Sequence, residues 1–250
     1  MWYDFNRVVL SSKLENDEQK DKRTVFSRVN YEQTQSTYVG AEQGTQTGSF
    51  QRLMRTFTIA VLVCFIGTFF GMMVPPAFFL PLAVIQLIMM IAALVIQWRG
   101  KAIGYPFVFS FVFLTGVVLY PAVAYYTFLG GAIVTQAFLL TVIIFGALTL
   151  YAYYSKRDFS FLGSMLMVGL LVLIGAGLIS LFTGGMGGTL NLVITVLGVL
   201  IFSGFVLYDV SQYKHGVEER MMPLAVLSMF LSFINLFLYI LRFLAIFLDE

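Results

Sequence analysis

Asp209 is the residue of this chain whose type and position are best suited to chemistry. It ends a long apolar run and lies one helical turn before a polar loop, within the stretch GFVLYDVSQYKHG (204–216). Apart from the last two residues, it is the only acidic residue after Glu42 that falls outside a predicted solvent loop. Because an ionisable group is costly inside a bilayer, we expect a functional role for it. We predict that its charge changes with the pH of the adjoining solution and that its charged form attracts cations.

A second interpretation of Asp209 stays open at this point. Gln212 and Lys214 follow it within five residues, so the carboxylate can also belong to a helix end that dips into water. Lys214 stands five positions further on and therefore lies off the helix face of Asp209. Histidine is the side chain that titrates near neutral pH, and the neighbouring His215, the only histidine, is therefore a weaker candidate for a second pH sensor.

Five polar residues form a stripe on one face of the last apolar segment. They are spaced by four, three, four and three positions: Ser228, Ser232, Asn235, Tyr239 and Arg242. This spacing matches one face of a helix, and in a bilayer such a face must meet protein or water. It serves either for hydrogen bonding between helices or as a polar pathway, and both interpretations stay open. If the stripe forms a polar pathway, Asp209 is the pH-responsive group and Ser228, Ser232 and Asn235 line the pathway.

Two further residues are accessory candidates. Gln86 lies on a weaker polar face of the second apolar segment, together with Gln97. Arg242 lies near the end of the last segment, where a long basic side chain is expected to extend toward the membrane surface.

Other chemistries lack the residues that they require. The three lysines after Lys22 lie in predicted loops, so none is available for an intramembrane Schiff base. One intramembrane acid is too few for an aspartyl protease, and one histidine is too few for a serine or zinc mechanism. Neither a phosphate-binding loop nor a dinucleotide motif occurs in the sequence. We therefore predict no enzyme activity, no cofactor and no dedicated metal site.

The composition indicates the solvent in which these residues must work. The 250 residues are 59% hydrophobic and 11% charged, with a mean hydropathy of +0.88. Soluble domains average about 45–50% apolar and about 25% charged residues. This is therefore a polytopic membrane protein with the lipid bilayer as its partner, and a nucleic-acid-binding or secreted fold is excluded. Cys64 is the only cysteine, so no intrachain disulfide can form.

The apolar residues fall into seven runs, each near the roughly 20 residues that span a bilayer as a helix. We predict a polar, largely disordered tail over residues 1–51 and a transmembrane domain over 52–250. The predicted helices cover residues 53–74, 77–98, 105–128, 131–154, 159–182, 189–211 and 222–247. Because lipid demands closed backbone hydrogen bonding and the runs are too long for barrel strands, the predicted fold class is an all-α polytopic membrane protein.

Basic residues predict the orientation of these helices. Eight of them flank helix 1 or lie in the 2–3, 4–5 and 6–7 loops: Arg52, Arg55, Arg99, Lys101, Lys156, Arg157, Lys214 and Arg220. The 1–2, 3–4 and 5–6 loops contain none. The positive-inside rule therefore places the N-terminus in the cytoplasm and the C-terminus outside. We expect a bacterial inner membrane, since neither a transit peptide nor an endoplasmic-reticulum retrieval signal is seen.

The sequence resembles the transmembrane Bax-inhibitor-motif family, specifically its bacterial members. The resemblance covers about residues 51–248 and is carried mainly by GFVLYDVSQYKHG (204–216) and LSFINLFLYILRFL (231–244). Supporting stretches are MMVPPAFFLPLAV (72–84), KAIGYPFVFSFVFLTG (101–116) and KRDFSFLGS (156–164). The resemblance implies six helices around a central seventh, and a pH-sensitive calcium leak gated by two aspartates near the cytoplasmic mouth.

The chain departs from the family pattern at part of this site. The helix 6 aspartate corresponds to Asp209, whereas the helix 7 position, D-F-I-N in the family, reads S-F-I-N with Ser232. A helix 2 glutamate of the calcium-leak type corresponds to Gln86. One carboxylate facing a serine cannot share a proton as a pair does, and it offers Ca²⁺ fewer oxygen ligands.

These departures support two hypotheses about function. In the first, the protein is a pH-sensitive leak in which calcium is the transported ion and Asp209 its candidate contact. In the second, it is a non-conducting modulator of a membrane-bound AAA protease, as the resemblance implies for relatives with serine at this helix 7 position. The polar tail over residues 1–51 would then bind the protease. Either function is compatible with a monomer.

Overall fold

The computed structural model describes residues 48–99, 101–185 and 187–247. Within these ranges the chain forms seven helices long and apolar enough to cross a membrane, and no strand. They are α1 (Gly48–Gly71), α2 (Phe79–Trp98), α3 (Tyr105–Leu129), α4 (Ile133–Tyr154), α5 (Leu162–Thr183), α6 (Gly188–Tyr213) and α7 (Met222–Ile246). Short 3₁₀ turns at Pro76–Phe78 and Glu219–Met221 precede α2 and α7. The predicted all-α polytopic fold is confirmed.

The first helix includes residues that the sequence analysis assigned to the tail. Residues 1–47 of that predicted tail lie outside the described residues, but residues 48–51 are helical. The Ser49 hydroxyl donates to the carbonyl of Val217 and accepts from its amide, and Phe50 is buried and stacks on Tyr153. These long-range contacts order a polar stretch that has no apolar periodicity of its own. Arg52 therefore lies within α1 and not before it.

The fifth helix begins at Leu162, three residues later than predicted. Asp158 accepts hydrogen bonds from the amide and the hydroxyl of Ser160, which form a turn before the helix. Phe159 is buried, and its amide donates to the Ser211 hydroxyl on α6. Side-chain acceptors thus hold these residues in a loop although their neighbours are apolar.

The C-terminal helix α7 lies at the centre of the molecule. In its membrane-spanning stretch, 67% of the residues are buried. In the corresponding stretches of the other described helices, 6–28% of the residues are buried. An apolar helix in a membrane can face either lipid or protein, so this difference in burial shows that other helices surround α7. α7 packs most extensively against α6 and also against α4 and α3, while Phe57 of α1 meets Phe233 edge to face. α2 packs on α3 and α5 on α6, which gives the expected arrangement around a central seventh helix.

Helices α1 and α3 cross with their backbones in direct contact. A Cβ atom built on Gly116 would overlap the carbonyl oxygen of Cys64, and one built on Gly67 would overlap that of Phe113. A Cβ atom built on Gly71 would overlap the Cβ of Tyr120 and the carbonyl oxygen of Val117. Glycine at these positions lets the two helices approach closely, as small residues do at helix contacts in membranes.

Candidate functional site

Asp209 lies on the last part of α6 and faces α7. Its side chain is buried, with 2% of the residue exposed. The Ser228 hydroxyl donates to Oδ1 at 2.9 Å, and the Ser232 hydroxyl donates to Oδ2 at 2.7 Å. We call these three residues the carboxylate clasp. The interpretation of Asp209 as a solvated helix end is therefore wrong, because α7 covers the carboxylate.

The spacing of the serines explains the geometry of the clasp. Residues four positions apart lie above one another on a helix face, so Ser228 and Ser232 reach the same part of α6. Each hydroxyl has one hydrogen to donate, and an ionised carboxylate only accepts. The clasp therefore matches an ionised Asp209 that uses both oxygens to join α6 to α7.

The charge of the clasp is neutralised only weakly by its surroundings. Within the described part of the chain, no ion pair joins Asp209 to a basic side chain. A buried carboxylate without a cation is costly, because hydroxyl dipoles replace only part of the lost hydration. A proton or a bound cation would relieve this cost. The site can therefore respond to either.

Tyr213 is a neighbour of the clasp that the sequence analysis missed. It ends α6, one turn beyond Asp209, and its phenol lies beside Ser228. The signal was present in the sequence, since a separation of four residues places Asp209 and Tyr213 on one helix face. Tyr213 adds a third hydroxyl at the end of the α6–α7 contact.

The remainder of the predicted polar stripe does not reach Asp209. Asn235 is half-buried and donates its amide to the carbonyl of Leu231 in its own helix, at 2.8 Å. Further along α7, the Tyr239 ring packs against Gly198 and stacks on Phe202, with ring centroids 5.7 Å apart. The α6–α7 contact beyond the clasp is thus filled by aromatic rings.

Arg242 belongs to a separate polar group near the opposite end of α7. Its Nη2 donates to Oδ1 of Asn191 on α6, and the guanidinium also lies near the phenols of Tyr126 and Tyr239. This half-buried side chain pairs across the helix contact close to the ends of both helices, and its expected position at the membrane surface stays a prediction. The structure does not bring it to Asp209.

The other accessory candidates also lie away from the clasp. Gln86 donates to the Thr115 hydroxyl on α3 at 2.9 Å, and its Oε1 is buried without a partner in the described structure. His215 is exposed on the connection between α6 and α7 and is close enough to Asp158 to act on its charge. Neither of them hydrogen-bonds to Asp209 within the described residues.

A network of hydrogen bonds fixes the end of α6 that carries Asp209. Lys214 Nζ donates to the carbonyls of Ala152 and Ser155, at 3.1 and 2.6 Å, and so satisfies the last turn of α4. Gln212 donates to the Ser160 hydroxyl at 2.7 Å. Hydrogen bonds from the side chain and backbone of Ser160 hold the pKa of the exposed Asp158 carboxyl below its ordinary value.

The donor set of the clasp is too small for a resident metal. Among the described residues, no group of three or more histidine, cysteine, aspartate or glutamate side chains could hold a metal ion. Calcium prefers six to eight oxygen ligands, and the clasp offers one carboxylate and neighbouring hydroxyls.

The fold and the clasp together define a polytopic helical membrane protein with a buried carboxylate between its two last helices. Residues 47–249 match the family model described as inhibitor of apoptosis-promoting Bax1, and the chain belongs to that family. The resemblance noted from the motifs is thereby confirmed.

Several individual proteins are similar to part of this chain. A Golgi anti-apoptotic protein of Vaccinia virus (strain Lister) is 40% identical over 107 residues, which are 43% of this chain and 44% of the viral protein. Protein lifeguard 4 of Mus musculus is 39% identical over 105 residues, 42% of this chain and 43% of the mouse protein. An uncharacterized membrane protein of Vibrio cholerae is 39% identical over 107 residues, 43% and 47% of the two chains. Each aligned stretch spans less than half of the relative.

Proposed function

We propose that this protein is a pH-sensitive cation leak, with calcium as the transported ion and Asp209 as the group that gates it. One observation carries the proposal. A buried carboxylate joins α6 to the central helix α7 through two hydroxyl groups and lacks an ion pair in the described structure. Opening a path along this contact requires that the clasp be released. A change in charge on Asp209 changes the strength of the clasp directly.

The sign of the pH effect follows from the hydrogen bonds. Hydrogen bonds to an ionised acceptor are roughly twice as strong as those between neutral groups. Protonation of Asp209 therefore weakens its bonds to both Ser228 and Ser232, and α6 and α7 separate more easily. We expect cation flux to increase as the pH falls on the side of the membrane that the clasp faces.

Calcium flux into proteoliposomes tests this mechanism. Wild type and Asp209→Asn are compared at external pH from about 6 to about 8, the range in which physiological pH sensing occurs. Asparagine keeps the size of the side chain but cannot ionise, so the pH dependence should disappear. Glu218→Gln is the matched control, because it removes an exposed carboxylate outside the clasp, and it should keep the wild-type profile. An unchanged profile in Asp209→Asn would refute the gating role.

A third variant, Ser232→Asp, separates this proposal from its alternative. It places a second carboxylate opposite Asp209, where two acids can share a proton and offer more oxygen ligands to Ca²⁺. A wild-type leak that depends on Asp209 supports the channel and shows that the second acid is dispensable. A silent wild type with a conducting Ser232→Asp variant would contradict the proposal.

The alternative is a non-conducting modulator of a membrane-bound AAA protease. Ser232 favours it, since a lone carboxylate already held by two hydroxyls is a weak cation site. The polar tail over residues 1–51 would bind the protease, and its first 47 residues lie outside the described structure. We place the protein in a bacterial inner membrane without enzymatic activity, the N-terminus in the cytoplasm and the C-terminus outside. The clustering of Arg52, Lys156 and Lys214 at one end of the helices supports this orientation.

A further inference from the structure

A cavity of about 310 Å³ lies on the side of α7 opposite the carboxylate clasp. Helices α1, α3 and α4 form its walls, and Phe230, Phe233 and Phe237 of α7 form its floor. These α7 residues are one to five positions away from the nearer clasp serine, and helical spacing turns them away from the face that carries the serines. The cavity therefore does not belong to the site described above.

The cavity is continuous with the surface that contacts lipid. Three residues of α1 that line it are also exposed on the outside of the helix bundle: Phe65 (53%), Phe69 (67%) and Met72 (60%). Thr135 on α4 lines it and is exposed as well. Both helices cross the membrane, so at this depth the medium outside them is hydrocarbon. The opening between α1 and α4 thus faces the acyl chains of the bilayer.

Neither water nor empty space suits the interior of this cavity. A buried water needs two to four polar partners, and the lining is dominated by aromatic and aliphatic side chains. The Thr68 hydroxyl in the wall already donates to the carbonyl of Cys64 in its own helix, at 3.1 Å. An empty space of this size forfeits the dispersion contacts that close packing gives to every side chain around it.

We propose that the cavity binds one acyl chain of a bilayer phospholipid. Along α1 the lining extends from Val61 to Met72 at the end of the span, which at 1.5 Å per residue is roughly 16 Å. That is about half of the ~30 Å hydrocarbon core, the depth that one leaflet supplies. The chain enters from the leaflet next to the α1–α2 connection and ends against Phe230 and Phe233. The bound acyl chain packs against α7 on the face opposite Asp209.

A photoreactive lipid tests this proposal in the full-length protein. A phosphatidylcholine with a diazirine at the end of one acyl chain is incorporated into proteoliposomes, activated by light and mapped by mass spectrometry of the cross-linked peptides. We expect cross-links on Phe233 and Phe237, which line the cavity and are each only 5% exposed, so that bulk lipid does not reach them. Cross-links confined to exposed residues such as Leu62 and Phe69, with none on α7, would overturn the proposal.

Cavity-filling variants verify that the cross-links on α7 come from this cavity. Val134→Phe on α4 and Val123→Phe on α3 add bulk to two different walls, and each should abolish the α7 cross-links while those on exposed residues persist. Val168→Phe is the matched control, since Val168 is 62% exposed on α5 and lies outside the lining. It should keep the wild-type pattern. Cross-links on α7 that persist in both filled variants would contradict the assignment, and if neither variant folds, the wild-type map decides alone.

Competition distinguishes a phospholipid from other apolar ligands. Unlabelled phosphatidylcholine in excess should reduce the α7 cross-links in proportion to its share of the lipid. If only free fatty acid or detergent displaces the probe, the cavity does not hold a phospholipid chain and the proposal fails. The experiment does not depend on ion flux, so its outcome is independent of the function proposed for Asp209.

Discussion

At the scale of single residues, the molecule places one charge where a bilayer protein rarely tolerates one. Asp209 is buried, and two hydroxyls on α7 accommodate its two oxygens. A hydroxyl is a small donor that can also turn to its own helix backbone, as Thr141 does toward Ala137. A serine hydroxyl that released the carboxylate would therefore still have a backbone acceptor in its own helix.

We predict that each clasp serine contributes measurably to stability. Ser228→Ala and Ser232→Ala should each lower the free energy of unfolding by about 1–3 kcal/mol, because each leaves one buried carboxylate oxygen without its donor. Ser110→Ala, on an exposed position of α3, is the control and should change it by less than about 0.5 kcal/mol. Thermal or denaturant unfolding in detergent measures the difference. If clasp and control variants unfold alike, the serines do not hold Asp209.

At the scale of helices, two kinds of contact organise the bundle. The α6–α7 pair combines apolar packing with polar contacts at both of its ends, the clasp at one and the Arg242–Asn191 hydrogen bond at the other. The α1–α3 pair instead uses glycine to bring two backbones together. Polar contacts in a membrane add about 0.6 kcal/mol each on average, so close packing remains the larger contribution.

We predict that the α1–α3 crossing is intolerant of a single added methyl group. Gly116→Ala and Gly67→Ala should destabilise the protein by about 1–3 kcal/mol, because the new Cβ meets backbone atoms that cannot rotate away. The effect is read from the unfolding midpoint of the purified protein.

Gly146 and Gly175 provide matched controls for this prediction. Both lie inside helices with open space around an added Cβ, so alanine there should be neutral or stabilising by up to about 1 kcal/mol. Equal destabilisation at all four positions would show that the effect is not caused by the crossing of α1 and α3.

At the scale of the whole molecule, the central position of α7 links the two polar ends and the apolar cavity. One face of this helix carries the clasp serines and Arg242, and the opposite face forms the floor of the cavity. A movement of α7 therefore changes all three together. The N-terminal turn of α1 is tied to the connection before α7 by Ser49 and by the ion pair between Arg52 and Glu219.

Orientation is the testable prediction at this scale. In a Cys64→Ala background, a membrane-impermeant thiol reagent applied to intact cells should label Gly131→Cys, in the connection between α3 and α4. It should not label Glu218→Cys, which lies on the side predicted to be cytoplasmic. Both positions are exposed, so after lysis both should react. The reverse labelling pattern would contradict the predicted orientation.

The sequence by itself determined the properties that depend on neighbours along the chain. Runs of apolar residues gave seven spans within a few residues of their observed bounds, since each helix must satisfy its own backbone in lipid. The same runs made Asp209 conspicuous, and helical spacing placed Ser228 and Ser232 on one face. The predicted start of α1, residue 53, was too late, because Ser49 and Phe50 are ordered by contacts with residues more than 100 positions away.

Only the tertiary structure decided which of the polar side chains identified from the sequence contact one another. It joined Ser228 and Ser232 to Asp209, left Asn235 on its own helix backbone, and paired Arg242 with Asn191, 51 residues earlier. It also left the cavity behind α7. These outcomes depend on the rotation and the axial register of helices relative to one another. Both are set by packing summed over entire helix surfaces, and no local pattern of residues encodes that sum.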